Sequence, residues 1–89
     1  MNPGGVVRRQ REVIWRAVDD RVVGLDLRTS RYFSLNNSAA VLWAQLEGDV
    51  GVDELAELLV DRYGIERATA HRDVEAFLDE MRSTGLLEE

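Results

Sequence analysis

Arg31-Tyr32-Phe33-Ser34-Leu35-Asn36-Asn37-Ser38-Ala39-Ala40-Val41-Leu42-Trp43 decides the fold, because the hydrophobic period changes inside it. Up to Leu35 the residues alternate. Phe33 and Leu35 share one face and Tyr32 and Ser34 the other, which predicts a strand. From Asn36 onward the spacing is helical. Ala39, Leu42, Trp43 and Leu46 recur every three or four residues, and Asn36, Asn37 and Ser38 all suit a helix N-cap. Gly48 marks the end of this helix. A strand therefore runs directly into a helix, and the chain divides here into a β part and an α part.

Upstream, Val13-Ile14-Trp15-Arg16-Ala17-Val18 is rich in β-formers, and Asp19-Asp20 is a turn signal. Val22 to Leu27 alternates, with Val23, Leu25 and Leu27 on one face and Gly24 and Asp26 on the other. Arg28-Thr29-Ser30 makes a second turn, so three strands form an antiparallel meander. Downstream, Val52-Asp53-Glu54-Leu55 opens a second helix, with acids at its positive end. Its stripe is Leu55, Leu58 and Leu59, with Tyr63 at its margin, and Gly64 suits a helix-ending position. Ile65 bridges to a third helix with the stripe Ala70, Val74, Phe77, Leu78 and Met81. Gly85 closes it, and Leu86-Leu87 are expected to fold back on the core. The expected fold is α+β and winged helix-turn-helix-like, a three-stranded antiparallel sheet followed by three helices. Residues 1–12 read as a flexible basic N-terminal arm, with the option of strand pairing near its end. Residues 13–89 read as a single domain.

Composition excludes several classes. With 89 residues, 45% hydrophobic and 31% charged, the chain suits one folded domain. A domain of this size buries about 60–65% of its unfolded surface, which leaves little room for a catalytic cleft. The start at Met1 suggests a complete small reading frame. The chain contains no cysteine, so disulfides, thiol catalysis and cysteine-ligated metals are excluded. No apolar run or signal pattern suggests a membrane or secretory route, and the expected location is cytoplasmic. His71 stands alone on a helix, and a zinc site needs partners it lacks. Asp49, Asp53 and Asp61 do not follow a calcium-loop spacing. No glycine-rich phosphate loop occurs. Ser30, Ser34, Ser38 and Ser83 have no triad constellation. Neither an enzyme nor a cofactor or metal is expected.

Charge is uneven. Residues 1–35 carry seven Arg and four acids, whereas residues 36–89 carry four Arg and thirteen acids, for a net charge of −6. A winged-helix outline invites a nucleic-acid-binding or regulatory reading. The third helix, however, sets Arg67, Arg72 and Arg82 against Glu66, Asp73, Glu75, Asp79 and Glu80, and phosphates would be repelled there. Arg8, Arg9 and Arg11 are the counterweight. The sheet offers a different use. The third strand of the meander is an edge, and an edge can accept an added strand. Tyr32 and Phe33 set aromatic surface beside it, and Asp73, Ala76, Phe77 and Glu80 of the third helix could form the opposite wall. Phe33, Leu35, Phe77 and Met81 are as readily ordinary core residues, which is the commoner use of such side chains. The pattern does not bury Tyr32, Asp73, Ala76 or Glu80.

The quoted stretch resembles the aromatic-strand, Leu-Asn, small-polar, Ala-Ala, apolar-Trp run of the PqqD-like domains, the precursor-peptide recognition elements of ribosomal natural-product pathways. Leu46-Glu47-Gly48, Val52-Asp53-Glu54-Leu55, Tyr63-Gly64-Ile65, Asp73-Val74, Phe77-Leu78 and Gly85-Leu86-Leu87 extend the likeness from Val13 to Leu87. Within that family the chain is most similar to the free-standing recognition proteins of lasso-peptide pathways, where recognition domain and leader peptidase are separate chains of B1 and B2 type. The resemblance implies a non-catalytic adaptor. It would bind a precursor's leader peptide as a strand added to the third strand, beside the third helix. It would then present the precursor to the leader peptidase and to the macrocycle-forming synthetase. Lasso leaders carry an aromatic residue and a proline as anchors. Carried onto this chain, the pairing positions are Arg31, Tyr32, Phe33, Ser34 and Leu35. The pocket positions are Val23, Leu25, Phe33, Ala76 and Phe77, and the charged rim is Asp73 and Glu80.

Overall fold

The computed structural model describes residues 6–88. Its elements are β1 (Val6–Arg9), β2 (Val13–Val18), β3 (Arg21–Asp26), β4 (Arg31–Asn36), α1 (Asn37–Ala44), β5 (Val50–Gly51), α2 (Val52–Tyr63), α3 (Arg67–Ser83) and β6 (Leu87–Glu88). A single 3-10 turn, Gln45–Glu47, extends α1. The strands form two antiparallel sheets, ordered β2-β3-β4 and β5-β1-β6. The first is the expected meander, and it is followed by the three expected helices.

The turns follow local chemistry. Asp19 (φ 57) and Ser30 (φ 59) adopt the left-handed conformation at the two meander turns, and Ser30 N–H donates to the Asp26 carbonyl at 2.8 Å. Short polar residues tolerate that conformation better than most. Asn36 is the residue before α1, but its side chain makes no capping hydrogen bond, and Asn37 has φ 55. At the start of α2 the Glu54 carboxylate accepts the Gly51 N–H at 3.0 Å. Gly64 ends that helix with φ 66, its N–H returning to the Val60 carbonyl.

Both helical stripes face inward. Leu55 and Leu59 of α2, and Ala70, Val74, Phe77, Leu78 and Met81 of α3, join Leu42, Trp43 and Leu46 in one core, sealed by Leu86 and Leu87. Trp43 is fully buried. Its ring meets Phe33 edge-on at 5.1 Å and Trp15 at 6.2 Å, geometry that adds to plain area burial. Phe33 in turn lies over Gly24, where a Cβ would come within 2.6 Å of its ring.

The second sheet takes up part of the N-terminal arm, where strand pairing was an option. Of that arm, residues 1–5 lie outside the described residues, and Val6–Arg9 is the central strand of the β5-β1-β6 sheet. Its basic residues are used internally. Arg8 Nε donates to Glu88 Oε1 at 2.6 Å, and Arg11 lies 3.5 Å from the same carboxylate. The Arg9 guanidinium sits 4.8 Å above the Trp15 ring and 5.6 Å from that of Trp43, and donates to the Trp43 carbonyl at 3.2 Å. Burial lowers the Arg9 pKa, opposed by the charge of Glu47, and the group stays cationic at neutral pH.

Candidate functional site

Register fixes which residues share a face. Trp15, Gly24 and Phe33 stand opposite one another across the meander, as do Ala17, Val22 and Leu35. Val22 and Gly24 are buried and Phe33 and Leu35 half-buried, so this face meets the helices. The neighbouring rows, Ile14-Leu25-Tyr32 and Arg16-Val23-Ser34, point the other way.

Among the described residues β4 pairs only with β3, so its other side is an unpaired edge there. Along that side, alternate residues direct N–H and C=O groups outward. A groove of about 610 Å³ runs between β4 and the C-terminal half of α3. Phe33, Leu35, Met81 and Leu86 supply its apolar lining. Arg31, Tyr32 and Ser34 border it on the strand side and Glu80, Ser83 and Thr84 on the helix side.

Asp26 and Thr29 also line this groove. Asp26 is a charged side chain only 3% exposed. It accepts hydrogen bonds from Gln10 Nε2 at 3.1 Å and from Arg28 N–H at 3.0 Å. Burial pushes its carboxyl up, but the Arg28 hydrogen bonds, the Arg28 charge and Thr29 outweigh burial and hold the pKa below the usual carboxylate range. Arg28 also donates to the carbonyl of Gly85, just beyond α3. The β3–β4 turn is thereby tied to the helix end, which sets the separation of strand and helix there.

The expected site residues divide three ways. Arg31, Tyr32, Phe33, Ser34, Leu35 and Glu80 come together around the groove. Asp73, Ala76 and Phe77 share the helical stripe of Glu80 but lie one or more turns nearer the α3 N-terminus and are not among its lining residues. Asp73 and Ala76 are exposed, whereas Phe77 is core. Val23 and Leu25 lie on the opposite face of the sheet and are not among the groove's lining residues. Asp26, Thr29, Met81, Ser83, Thr84 and Leu86 line the groove without having been expected there. Thr84 was within reach of the sequence, four residues from Glu80 on the same side of the helix, and Met81 likewise, four residues from Phe77 on the apolar stripe.

No group of three or more His, Asp or Glu able to hold a metal occurs among the described residues. His71 Nε2 lies 3.1 Å from Asp53 Oδ1, linking α3 to α2 at a half-exposed position. Among the described residues no helix is long and apolar enough to cross a membrane.

A strand edge flanking an apolar trough defines a small α+β domain of winged helix-turn-helix outline suited to an extended chain. The chain belongs to the PqqD family: the pattern of that family, coenzyme PQQ synthesis protein D, matches residues 21–87. Two solved structures are similar over almost the whole chain. One is TbiB1 in complex with the TbiA(beta) leader peptide, 31% identical, TM-score 0.84, covering 91% of this chain and 94% of that one. The other is lasso peptide synthetase B1 complexed with its leader peptide, 28% identical, TM-score 0.80, covering 93% and 98%. A third, the PqqD truncation of Methylobacterium extorquens PqqCD, a stand-alone RiPP recognition element, shares the fold at 24% identity, TM-score 0.76, covering 94% and 89%. No curated protein sequence matches the chain.

Proposed function

We propose that this protein is a non-catalytic adaptor of lasso-peptide type, which binds the leader of a ribosomally made precursor. The leader adds as a strand to β4, lies in the groove beside α3, and is delivered from there to a leader peptidase and other maturation enzymes. One observation carries this reading. The free edge of β4 borders a groove with an apolar lining, in a chain similar end to end to two proteins solved with leader peptides. Main-chain pairing supplies affinity, and the surface of Phe33, Leu35, Met81 and Leu86 receives apolar anchors. Glu80 and Arg31 are the exposed charges at its borders.

A nucleic-acid-binding reading has less support. Arg8 and Arg11 are ion-paired to Glu88, Arg9 is stacked on two tryptophans, and the acids of α3 are exposed. The test is fluorescence anisotropy with a labelled synthetic leader at low and high salt. Saturable binding little changed by salt is expected, because strand addition with apolar anchors displaces few counterions. Ser83→Trp should fill the groove and weaken binding by about tenfold or more while the fold persists. Unchanged leader affinity in folded Ser83→Trp, or steeply salt-dependent binding to duplex DNA in place of the leader, would refute the proposal.

A further inference from the structure

At the end of the groove where β4 begins, two polar bridges meet on the buried carboxylate of Asp26. Arg28 Nη2 lies 3.4 Å from Asp26 Oδ2 and also donates to the Gly85 carbonyl. Asp26 belongs to the strand wall, and Gly85 stands between Thr84 and Leu86 of the helix wall. A single guanidinium nitrogen therefore spans the two walls. Gln10 makes the second bridge. Its Nε2 donates to Asp26 Oδ1 at 3.1 Å, and its backbone N–H donates to the Leu86 carbonyl at 2.9 Å. Gln10 is itself buried, and its Oε1 accepts the Glu12 N–H at 2.6 Å, which fixes the orientation of the amide. The helix side leaves room for the guanidinium, since a Cβ at Gly85 would come 2.8 Å from Arg28 Nη2. Neither Arg28 nor Gln10 lines the groove.

Burying a carboxylate is unfavourable unless its oxygens are paired. Both oxygens of Asp26 are paired here, and each has a partner that reaches across to the helix wall. Hydrogen bonds impose lengths and angles that apolar contacts do not. The cluster therefore fixes a spacing as well as adding cohesion. An added strand requires such a spacing, because it must lie about 4.8 Å from β4 and still fit against α3.

We propose that Arg28 and Gln10, acting through Asp26, are positioning residues for leader binding, which hold the groove at the width of an added strand without touching the leader. Their role rests on the adaptor reading. Without the bridges the walls drift, only a fraction of molecules is competent to accept the strand, and apparent affinity falls by that fraction. A requirement for the right width before binding slows association, whereas a lost direct contact speeds dissociation. By reciprocity, bound leader tightens the bridges.

Stopped-flow fluorescence with a labelled synthetic leader separates the two rates. Folded Arg28→Met should associate about fivefold more slowly or worse, with dissociation within about twofold of the parent. Asp26→Asn/Arg28→Met should bind at most about twofold worse than Arg28→Met alone, because the two residues act through one another. Gly64→Ala, destabilised outside the groove, should bind as the parent does, which separates positioning from a general loss of stability. Hydrogen exchange of the unaltered protein covers the case of a variant that does not fold. Saturating leader should slow exchange of the Arg28 and Gln10 amides, which donate to Asp26 Oδ1 and to the Leu86 carbonyl, by about threefold or more. The inference is overturned if folded Arg28→Met associates at the parent rate, or if its loss lies in dissociation. It is also overturned if the double variant falls further by the full effect of Asp26→Asn, if Gly64→Ala loses as much, or if bound leader leaves both amides unchanged. Failure of the unaltered protein to bind leader is read separately and removes the adaptor reading itself.

Discussion

Gly24→Ala should destabilise the fold although the site is a strand interior, where alanine normally improves on glycine. The reason is the ring above it. A Cβ at Gly24 would come to 2.6 Å from Phe33 Cε1, nearer still to Cζ, and 3.1 Å from the Ile14 carbonyl oxygen. The Phe33 ring cannot simply retreat, since its centroid already lies 5.1 Å from that of Trp43. Overpacking of this kind costs about 1–3 kcal/mol, and the relief of glycine's conformational entropy returns about 0.5–1 kcal/mol. A net loss of about 1 kcal/mol should lower the Tm by about 4–8 °C in a domain of this size. Phe33→Leu removes the clashing ring atoms, so Gly24→Ala/Phe33→Leu should be more stable than the sum of the two single changes by about 1 kcal/mol or more. Thermal unfolding followed by circular dichroism across the four proteins measures this coupling. Strict additivity, or a Gly24→Ala protein as stable as the parent, would refute the ring-over-glycine argument. Phe33 also lines the groove, so Gly24→Ala should weaken leader binding from the far side of the strand.

Asp26 predicts a pH dependence. Its folded-state pKa lies below the ordinary value, so its stabilisation is complete above the usual carboxylate range and is lost as pH falls through the lower folded value. The Tm difference between the parent and Asp26→Asn should therefore shrink on acidification from pH 6 toward pH 3. A constant difference contradicts the assignment. Gly64→Ala should cost about 1 kcal/mol by chemical denaturation from the left-handed backbone alone, because nothing lies within 4 Å of its Cβ position. A neutral result would mean that the turn relaxes. Phe77→Ala should cost about 3–5 kcal/mol of stability, as expected of a side chain only 6% exposed in the core. Retained stability in a urea melt would return Phe77 to the list of pocket residues.

Helices were the most legible part of the chain, because apolar spacing, Gly64 and Gly85 all agree with one another. The groove-facing run from Arg31 to Leu35 was legible for the same reason, its alternation being carried by large apolar side chains. β3 shows where that logic fails. Its buried face carries Val22, Gly24 and Asp26, and its outward face carries Val23 and Leu25. Hydrophobicity alone points Leu25 inward. Gly24 is inward because the Phe33 ring occupies the space of a side chain, and Asp26 because Gln10 and Arg28 satisfy its carboxylate. Both causes lie on other elements, out of reach of a pattern read along one strand. β5 and β6 were illegible for a simpler reason, as two residues have no period. They exist because β1 lies between them, and β1 is held there by Arg8, which pairs with Glu88 on β6 and lies 3.7 Å from Asp49 beside β5. The basic residues that invited a phosphate-binding reading thus assemble the second sheet, and its β6 follows directly from Leu86, which seals the groove. A weakened β1 should therefore loosen the groove from below before it affects any charge presented to solvent.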